Sequence, residues 1–132
     1  MVPIEGLNHM LGVTVKNGTP VPQWYIGLFE GDYTPDPSVT AATLPALATE
    51  CTAYSETTRV PLTTGAVSGG ATSNAANIAE FTFPVAKTVY GAFIASAPAK
   101  GAATGTLLSV VRFPSPRVMG AGSVLRVFAG PT

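Results

Sequence analysis

The sequence predicts an all-β protein, and three observations lead to that prediction. Residues 80–130 contain four short apolar runs separated by Pro-, Gly- or Ala-rich segments. Runs of this length that are rich in Val, Phe, Tyr and Thr are typical of strands. Over the whole chain, about eight such runs recur at intervals near ten residues, as in β-sandwiches and barrels. That count fits a jelly roll, and it does not separate a jelly roll from an immunoglobulin-like sandwich.

The first 22 residues are expected to form an N-terminal arm that carries the only extended helix. A short helix is predicted over residues 3–15 from apolar residues that share one helical face, namely Ile4, Leu7, Met10 and Leu11. Gly12 marks its expected end. Residues 23–29 then predict a strand that is apolar on both faces. A strand of that kind is expected in the centre of a sheet.

A long Pro-rich loop is predicted over residues 30–52, with a short helical turn within residues 41–48. A loop this long in a small domain is usually functional or ordered by a partner, and a mobile surface loop is the alternative. Residues 54–62 predict the next strand. Residues 63–77 consist almost entirely of Gly, Ser, Thr, Ala and Asn, which predicts a loop or a weak edge segment.

Four more strands are predicted in the C-terminal half. Residues 79–83 alternate apolar and polar side chains, as a half-buried strand does, and residues 88–95 are apolar on both faces, as a central strand is. Residues 106–113, which two prolines follow closely, and residues 123–129 complete the set. The length of 132 residues indicates a single domain over residues 1–132 with one hydrophobic core.

Composition favours a chain that assembles with others. Charged residues make up 11% of the sequence, less than half the roughly 25% of a typical soluble protein. Part of the surface is therefore expected to be covered by other chains, although small residues could also coat it. Net charge is zero, and the basic residues are scattered rather than gathered into a patch. This pattern argues against direct binding of nucleic acid.

No catalytic, metal or cofactor site is predicted. Cys51 and His9 are the sole residues of their types, so neither a disulfide framework nor a multi-histidine metal site can form. The sequence lacks a Gly-x-Ser-x-Gly elbow and a phosphate-binding loop motif. No segment approaches the length of a membrane span, and no secretory leader is predicted, so we expect synthesis in a cytoplasm.

The candidate functional residues are one tyrosine and three arginines. Tyr33 lies in the long loop, where an exposed aromatic contact is expected. The arginines lie in or beside apolar strands, at positions Arg59, Arg112 and Arg117. Such arginines must reach solvent or find a partner. They form structural ion pairs with Glu56 or Glu80, or they anchor a neighbouring subunit, and the sequence leaves both readings open.

Seven sequence blocks carry a family resemblance. They are LNHML (7–11), WYIGL (24–28), YSE (54–56), VYGAF (89–93), GTLLS (105–109), RFPSPR (112–117) and GSVLRV (122–127). In these blocks the chain resembles small virion proteins of tailed bacteriophages, several of which resemble jelly-roll cement or decoration proteins of the head. The likeness extends over most of the chain except residues 30–52 and 63–77.

That resemblance implies a structural role rather than an enzymatic one. It implies a capsid cement or decoration protein that binds the outer surface of the phage head and stabilises contacts between capsomers. The implied partners are the major capsid protein and further copies of this chain in a dimer or trimer, without direct contact to nucleic acid or membrane. The implied location is the capsid surface of the virion, after synthesis in the host cytoplasm. A tail or fibre module that binds a host receptor or glycan is the alternative.

Overall fold

Strands provide most of the regular structure in residues 1–130, which are the residues that the computed structural model describes. In chain order the elements are α1 (Ile4–Val15), β1 (Tyr25–Phe29), α2 (Leu44–Ala48), β2 (Glu50–Cys51), β3 (Val60–Pro61), β4 (Ala79–Phe83), β5 (Lys87–Ala95), β6 (Leu107–Met119) and β7 (Ser123–Val127). The last two residues of the predicted 1–132 domain, Pro131 and Thr132, lie outside the described range.

The strands form two antiparallel sheets. The larger sheet has the order β2-β1-β5-β6, and β3 also pairs with β1 at the end opposite β2. The smaller sheet contains β4 and β7. The predicted β class and the predicted N-terminal helix are therefore confirmed. Seven strands are present in residues 1–130 where about eight are predicted, and two of the seven are only two residues long.

Each face of the larger sheet has its own core. On one face, Ile26 and Leu28 of β1 pack with Phe81 and Phe83 of β4. On the other face, β1, β5 and the long loop pack together through Phe29, Phe93, Val39 and Leu44. The adjacent residues Leu28 and Phe29 belong to opposite cores, as expected for a strand that is apolar on both faces. The loop is folded over the sheet, since Leu44 and Ala48 of the predicted helical turn are buried.

Both strands predicted to be central lie inside the larger sheet. β5 pairs with β1 on one side and with β6 on the other. Its residues 91–95 are all buried, which fits a strand covered on both faces. The alternation predicted for β4 is also confirmed, because Ala79, Phe81 and Phe83 are buried while Glu80 is exposed.

The predicted strand over residues 54–62 is wrong for most of its length. Only Val60 and Pro61 pair, with β1. Before them, the backbone N–H of Ser55 donates to the carbonyl oxygen of Thr82 in β4, and Arg59 enters the interior. Residues 54–59 therefore form a bent segment, in which Tyr54 and Arg59 are the buried residues.

Strand β6 continues through two prolines where the sequence predicts that it ends. Arg112 pairs with Gly91 and Arg117 pairs with Val89, so residues 113–116 face only one residue of β5. These four residues form a bulge at the edge of the sheet, where a proline removes no ladder hydrogen bond. The strand therefore passes Pro114 and Pro116 and resumes its pairing at Arg117.

Helix α1 spans Ile4–Val15, close to the predicted range, and it continues past Gly12. The helix contacts the start of β6 through Gly6, where an added Cβ would overlap the carbonyl oxygen of Leu108. The Glu5 carboxylate accepts hydrogen bonds from the backbone N–H groups of Leu107 and Ala41, at 2.6 and 2.9 Å. The lack of a side chain at Gly6 lets α1 lie close to β6, and the Glu5 carboxylate attaches the helix to both the sheet and the long loop.

Candidate functional site

Tyr33 and Arg112, which lie 79 residues apart, meet at one end of the larger sheet. Residue pairing explains this, because Phe29 at the end of β1 lies opposite Gly91, and Gly91 lies opposite Arg112. The loop that leaves β1 therefore passes beside the Arg112 side chain. The register of three strands thus brings together two of the four residues named from the sequence.

The guanidinium of Arg112 is held by three groups. One Nη donates to the backbone carbonyl oxygen of Tyr33 at 3.2 Å and forms an ion pair with Asp32. The guanidinium carbon lies 5.6 Å from the ring centroid of Tyr90, within range of a cation–π contact. We call these four residues, Asp32, Tyr33, Tyr90 and Arg112, the Arg112 cluster. The cluster fixes the arginine and still leaves 34% of its side chain exposed.

The ion pair in this cluster contributes little to stability. The Asp32 side chain is 71% exposed, and solvent-exposed pairs are worth about 0–1 kcal/mol. Lys87 and Glu30 form a second surface ion pair near the same end of the sheet, at 3.2 Å. Two acids and two bases thus balance the charge of this region.

Tyr33 is half-buried rather than fully exposed. Its ring packs edge-to-face against Phe29, with centroids 6.0 Å apart. Desolvation by burial raises the pKa of the Tyr33 hydroxyl above its usual value. The hydroxyl is therefore protonated at neutral pH and can donate a hydrogen bond to a partner.

Arg59 occupies the interior of the protein. Its side chain forms a two-point ion pair with Glu50, with Nε to Oε2 at 2.9 Å and Nη2 to Oε1 at 2.6 Å. The remaining donors reach the carbonyl oxygens of Ala97 and Ala102, each at 3.0 Å. Because Arg59 is only 1% exposed, it has almost no surface to offer a neighbouring subunit. The structural reading therefore applies to Arg59, with Glu50 as its partner.

The other two predicted partners of the arginines are used differently. Glu56 accepts a hydrogen bond from the backbone N–H of Thr82 at 2.9 Å. Glu80 pairs with Arg126 at 3.3 Å, across the smaller sheet. The prediction that Glu56 or Glu80 would pair with these arginines is therefore wrong for residues 1–130, because Arg59 pairs with Glu50 and Arg112 pairs with Asp32.

Arg117 follows the bulge of β6 and is exposed. It lines an open groove of about 620 Å³ between β6 and β7, together with Pro114, Pro116 and Phe128. Among residues 1–130, none of the hydrogen bonds or ion pairs joins Arg117 to the Arg112 cluster. Arg112 and Arg117 therefore belong to different surfaces, although only the short bulge separates them.

Cys51 and His9 both serve packing. Cys51 is fully buried in the core, and desolvation by burial raises the pKa of its thiol. The His9 ring packs edge-to-face on Trp24 with centroids 5.3 Å apart. Within residues 1–130, no group of three or more His, Cys, Asp or Glu side chains is arranged to hold a metal ion. The same part of the chain has no helix with the length and apolar content to cross a membrane.

The burial of Cys51 leads to a direct prediction. We expect the native protein to react with a thiol reagent at least about 100-fold more slowly than the unfolded protein, because the thiolate is the reactive form and burial disfavours it. Absorbance after addition of Ellman's reagent, with and without denaturant, measures the two rates. Equal rates would contradict the burial of this side chain.

No family model matches the chain, and no curated protein matches it. The Arg112 cluster is the candidate site with the best-defined geometry.

Proposed function

We propose that this chain is a virion structural protein, a cement or decoration protein that binds the outer surface of a tailed-phage head and stabilises contacts between capsomers. The observation that carries the proposal is the Arg112 cluster, in which an ordered and partly exposed arginine lies between two tyrosines. Arginine and tyrosine are enriched among the residues that dominate binding energy at protein interfaces. The resemblance of the RFPSPR block to virion proteins supports the same conclusion.

For the fold, we propose a jelly-roll arrangement of the two sheets. Two packed antiparallel sheets are compatible with it, as is the pairing of β5 with β1, which is distant in sequence. The finer topology rests on the family resemblance, because seven strands divided five and two do not by themselves specify a jelly roll. An experimental structure of the assembled particle would test it.

The proposed mechanism is a clamp between neighbouring capsomers. A head that fills with DNA is under internal pressure, and a protein bound across two capsomers raises the cost of separating them. The Arg112 cluster would bind the major capsid protein, since a fixed guanidinium can form two parallel hydrogen bonds with a carboxylate. Many weak contacts repeated over a symmetric shell give strong total binding. The low charge of the chain, 11% of its residues, suits a surface that is partly covered in the particle.

Arg112→Ala is expected to weaken binding to expanded heads by about tenfold or more, because a central arginine contact is commonly worth over 1.4 kcal/mol. The measurement is co-sedimentation of purified protein with expanded heads that lack it, over a range of concentrations. Tyr33→Ala is expected to weaken binding in the same direction, and wild-type protein is expected to saturate at a fixed number of copies per head.

Arg126→Ala is the matched control. Arg126 is also an arginine in a surface ion pair, and it lies on the smaller sheet with 71% of its side chain exposed. It should bind heads like wild type, and both arginine variants should keep their unfolding free energy within about 1 kcal/mol. Equal binding by all variants would contradict the proposed site. Recovery of the protein in tail fractions, and its absence from heads, would favour the receptor- or glycan-binding alternative.

A further inference from the structure

Helix α1 contacts the rest of the protein through small and polar residues and exposes most of its large apolar ones. The side facing the protein carries Glu5, Gly6 and His9, which contact β6, the long loop and Trp24. Amphipathic helices on globular proteins normally place their apolar side toward the core. The opposite orientation here means that the apolar side of α1 has no partner within residues 1–130.

The exposed side of α1 is a continuous apolar stripe. Its members are spaced three or four residues apart, so they share one helical face. Their exposed fractions are 53% for Ile4, 46% for Leu7, 59% for Leu11 and 69% for Val15. We call these four residues the α1 stripe. Met10, three residues after Leu7, extends the apolar surface to a cleft of about 440 Å³ beside β6.

We propose that the α1 stripe binds the α1 stripe of a second copy of this chain. The stripe contains no charged residue, so a symmetric contact, which places the same patch on both partners, brings no like charges together.

The exposed area is sufficient for a modest dimer. Burial of one aliphatic side chain removes on the order of 100 Å² of apolar surface from water. On that scale, the α1 stripe together with Met1, Val2 and Met10 exposes roughly 300 Å² of apolar surface to water. Interfaces at the lower end of the specific range bury about 600 Å² per partner, somewhat more than half of it apolar. The exposed apolar area around α1 is therefore about as large as the apolar area that each partner buries in a weak dimer. The expected dimer Kd is in the micromolar range.

The charges of α1 disfavour binding of the α1 stripe to a lipid surface. Helices that lie in a membrane interface usually carry several Lys or Arg residues along their polar side. In α1 and its C-cap, the charged residues are Glu5, which is engaged with two backbone N–H groups, and Lys16. A protein surface of matching shape, such as a second α1, fits these residues better.

The test is the oligomeric state of the full chain measured by sedimentation equilibrium and light scattering. Wild type is expected to form dimers at about 100 µM. The double variant L7E/L11E is expected to raise the dimer Kd at least about 100-fold, because dimerisation would bury four carboxylates in an apolar contact. Neither substitution touches the side of α1 that contacts β6, so circular dichroism should match wild type.

The matched control is V67E/V118E, which adds the same charge at positions that are 78% and 81% exposed and lie outside α1. It is expected to dimerise like wild type. A monomeric wild type at about 100 µM would overturn the proposal. So would a double variant that still dimerises, or a monomeric wild type that floats with anionic vesicles. The inference does not rest on capsid binding. If the L7E/L11E variant loses dimers but co-sediments with heads like wild type, the proposed function still stands. If the wild type dimerises but does not co-sediment with heads, the dimer still stands.

Discussion

Replacement of Arg59 by methionine is expected to lower the free energy of unfolding by about 3–5 kcal/mol. The Glu50 carboxylate would lose both of its guanidinium hydrogen bonds while it remained buried, since its side chain is 2% exposed. A buried charge without a partner is far more costly than a missing surface contact. Two carbonyl oxygens, of Ala97 and Ala102, would lose their donors as well. Urea denaturation followed by fluorescence of Trp24, the only tryptophan, measures the change.

Two controls separate this effect from a general sensitivity to arginine loss. Arg126→Met removes an ion pair in which both side chains are more than half exposed, and it should cost under about 1 kcal/mol. The double variant E50L/R59M removes both buried charges and should be more stable than R59M alone, because no unpaired carboxylate remains. If R59M unfolds at the same urea concentration as wild type, the buried pair is not as described.

Gly91→Ala is expected to destabilise the protein by about 3 kcal/mol. A Cβ at Gly91 would overlap both the ring of Phe29 and the backbone carbonyl oxygen of Val111. The ring can rotate, but the carbonyl belongs to β6 and cannot move without disturbing the β5–β6 ladder. Gly91 is also paired with Arg112, so this shift would displace the Arg112 cluster. We therefore expect weaker binding to heads in addition to the lower unfolding free energy.

Gly12→Ala is the matched glycine control. Position 12 lies within α1, and a Cβ there would meet no atom within 4 Å. Alanine is favoured over glycine in a helix by about 1 kcal/mol, so this variant should be slightly more stable than wild type. Both glycine variants are compared by urea denaturation and by co-sedimentation. A loss of less than about 1 kcal/mol in Gly91→Ala would show that the contact between β5 and β6 is looser than the structure indicates.

The strands that the sequence predicted well are those whose side-chain pattern is set by local burial. β4 alternates because only one of its faces is covered, and residues 91–95 of β5 are all apolar because both faces are covered there. The segment before β3 was mispredicted because Tyr54, at 2% exposure, is buried in a bend rather than in a paired strand. A pattern of burial alone does not distinguish a bent segment between sheets from a strand.

The site was predictable residue by residue but not as an arrangement. Tyr33 and Arg112 were each identified by residue type and neighbourhood, yet their contact depends on the register of β1, β5 and β6. Asp32, next to Tyr33 in sequence, was the available sign that a base would lie nearby. The Glu50–Arg59 pair gave no comparable sign, because a bend rather than a helix or hairpin brings the two side chains together.

The outer edge of β6 is protected against pairing with a strand of another molecule. A long exposed edge strand is a template for strand-by-strand aggregation, especially in a chain with few charges to keep molecules apart. Here Met1 occupies the edge at Val110 through two hydrogen bonds of 2.9 Å. Further along, Pro114 and Pro116 lack the N–H groups that an incoming strand would need. Both stretches of the β6 edge are therefore closed to strand addition by another chain.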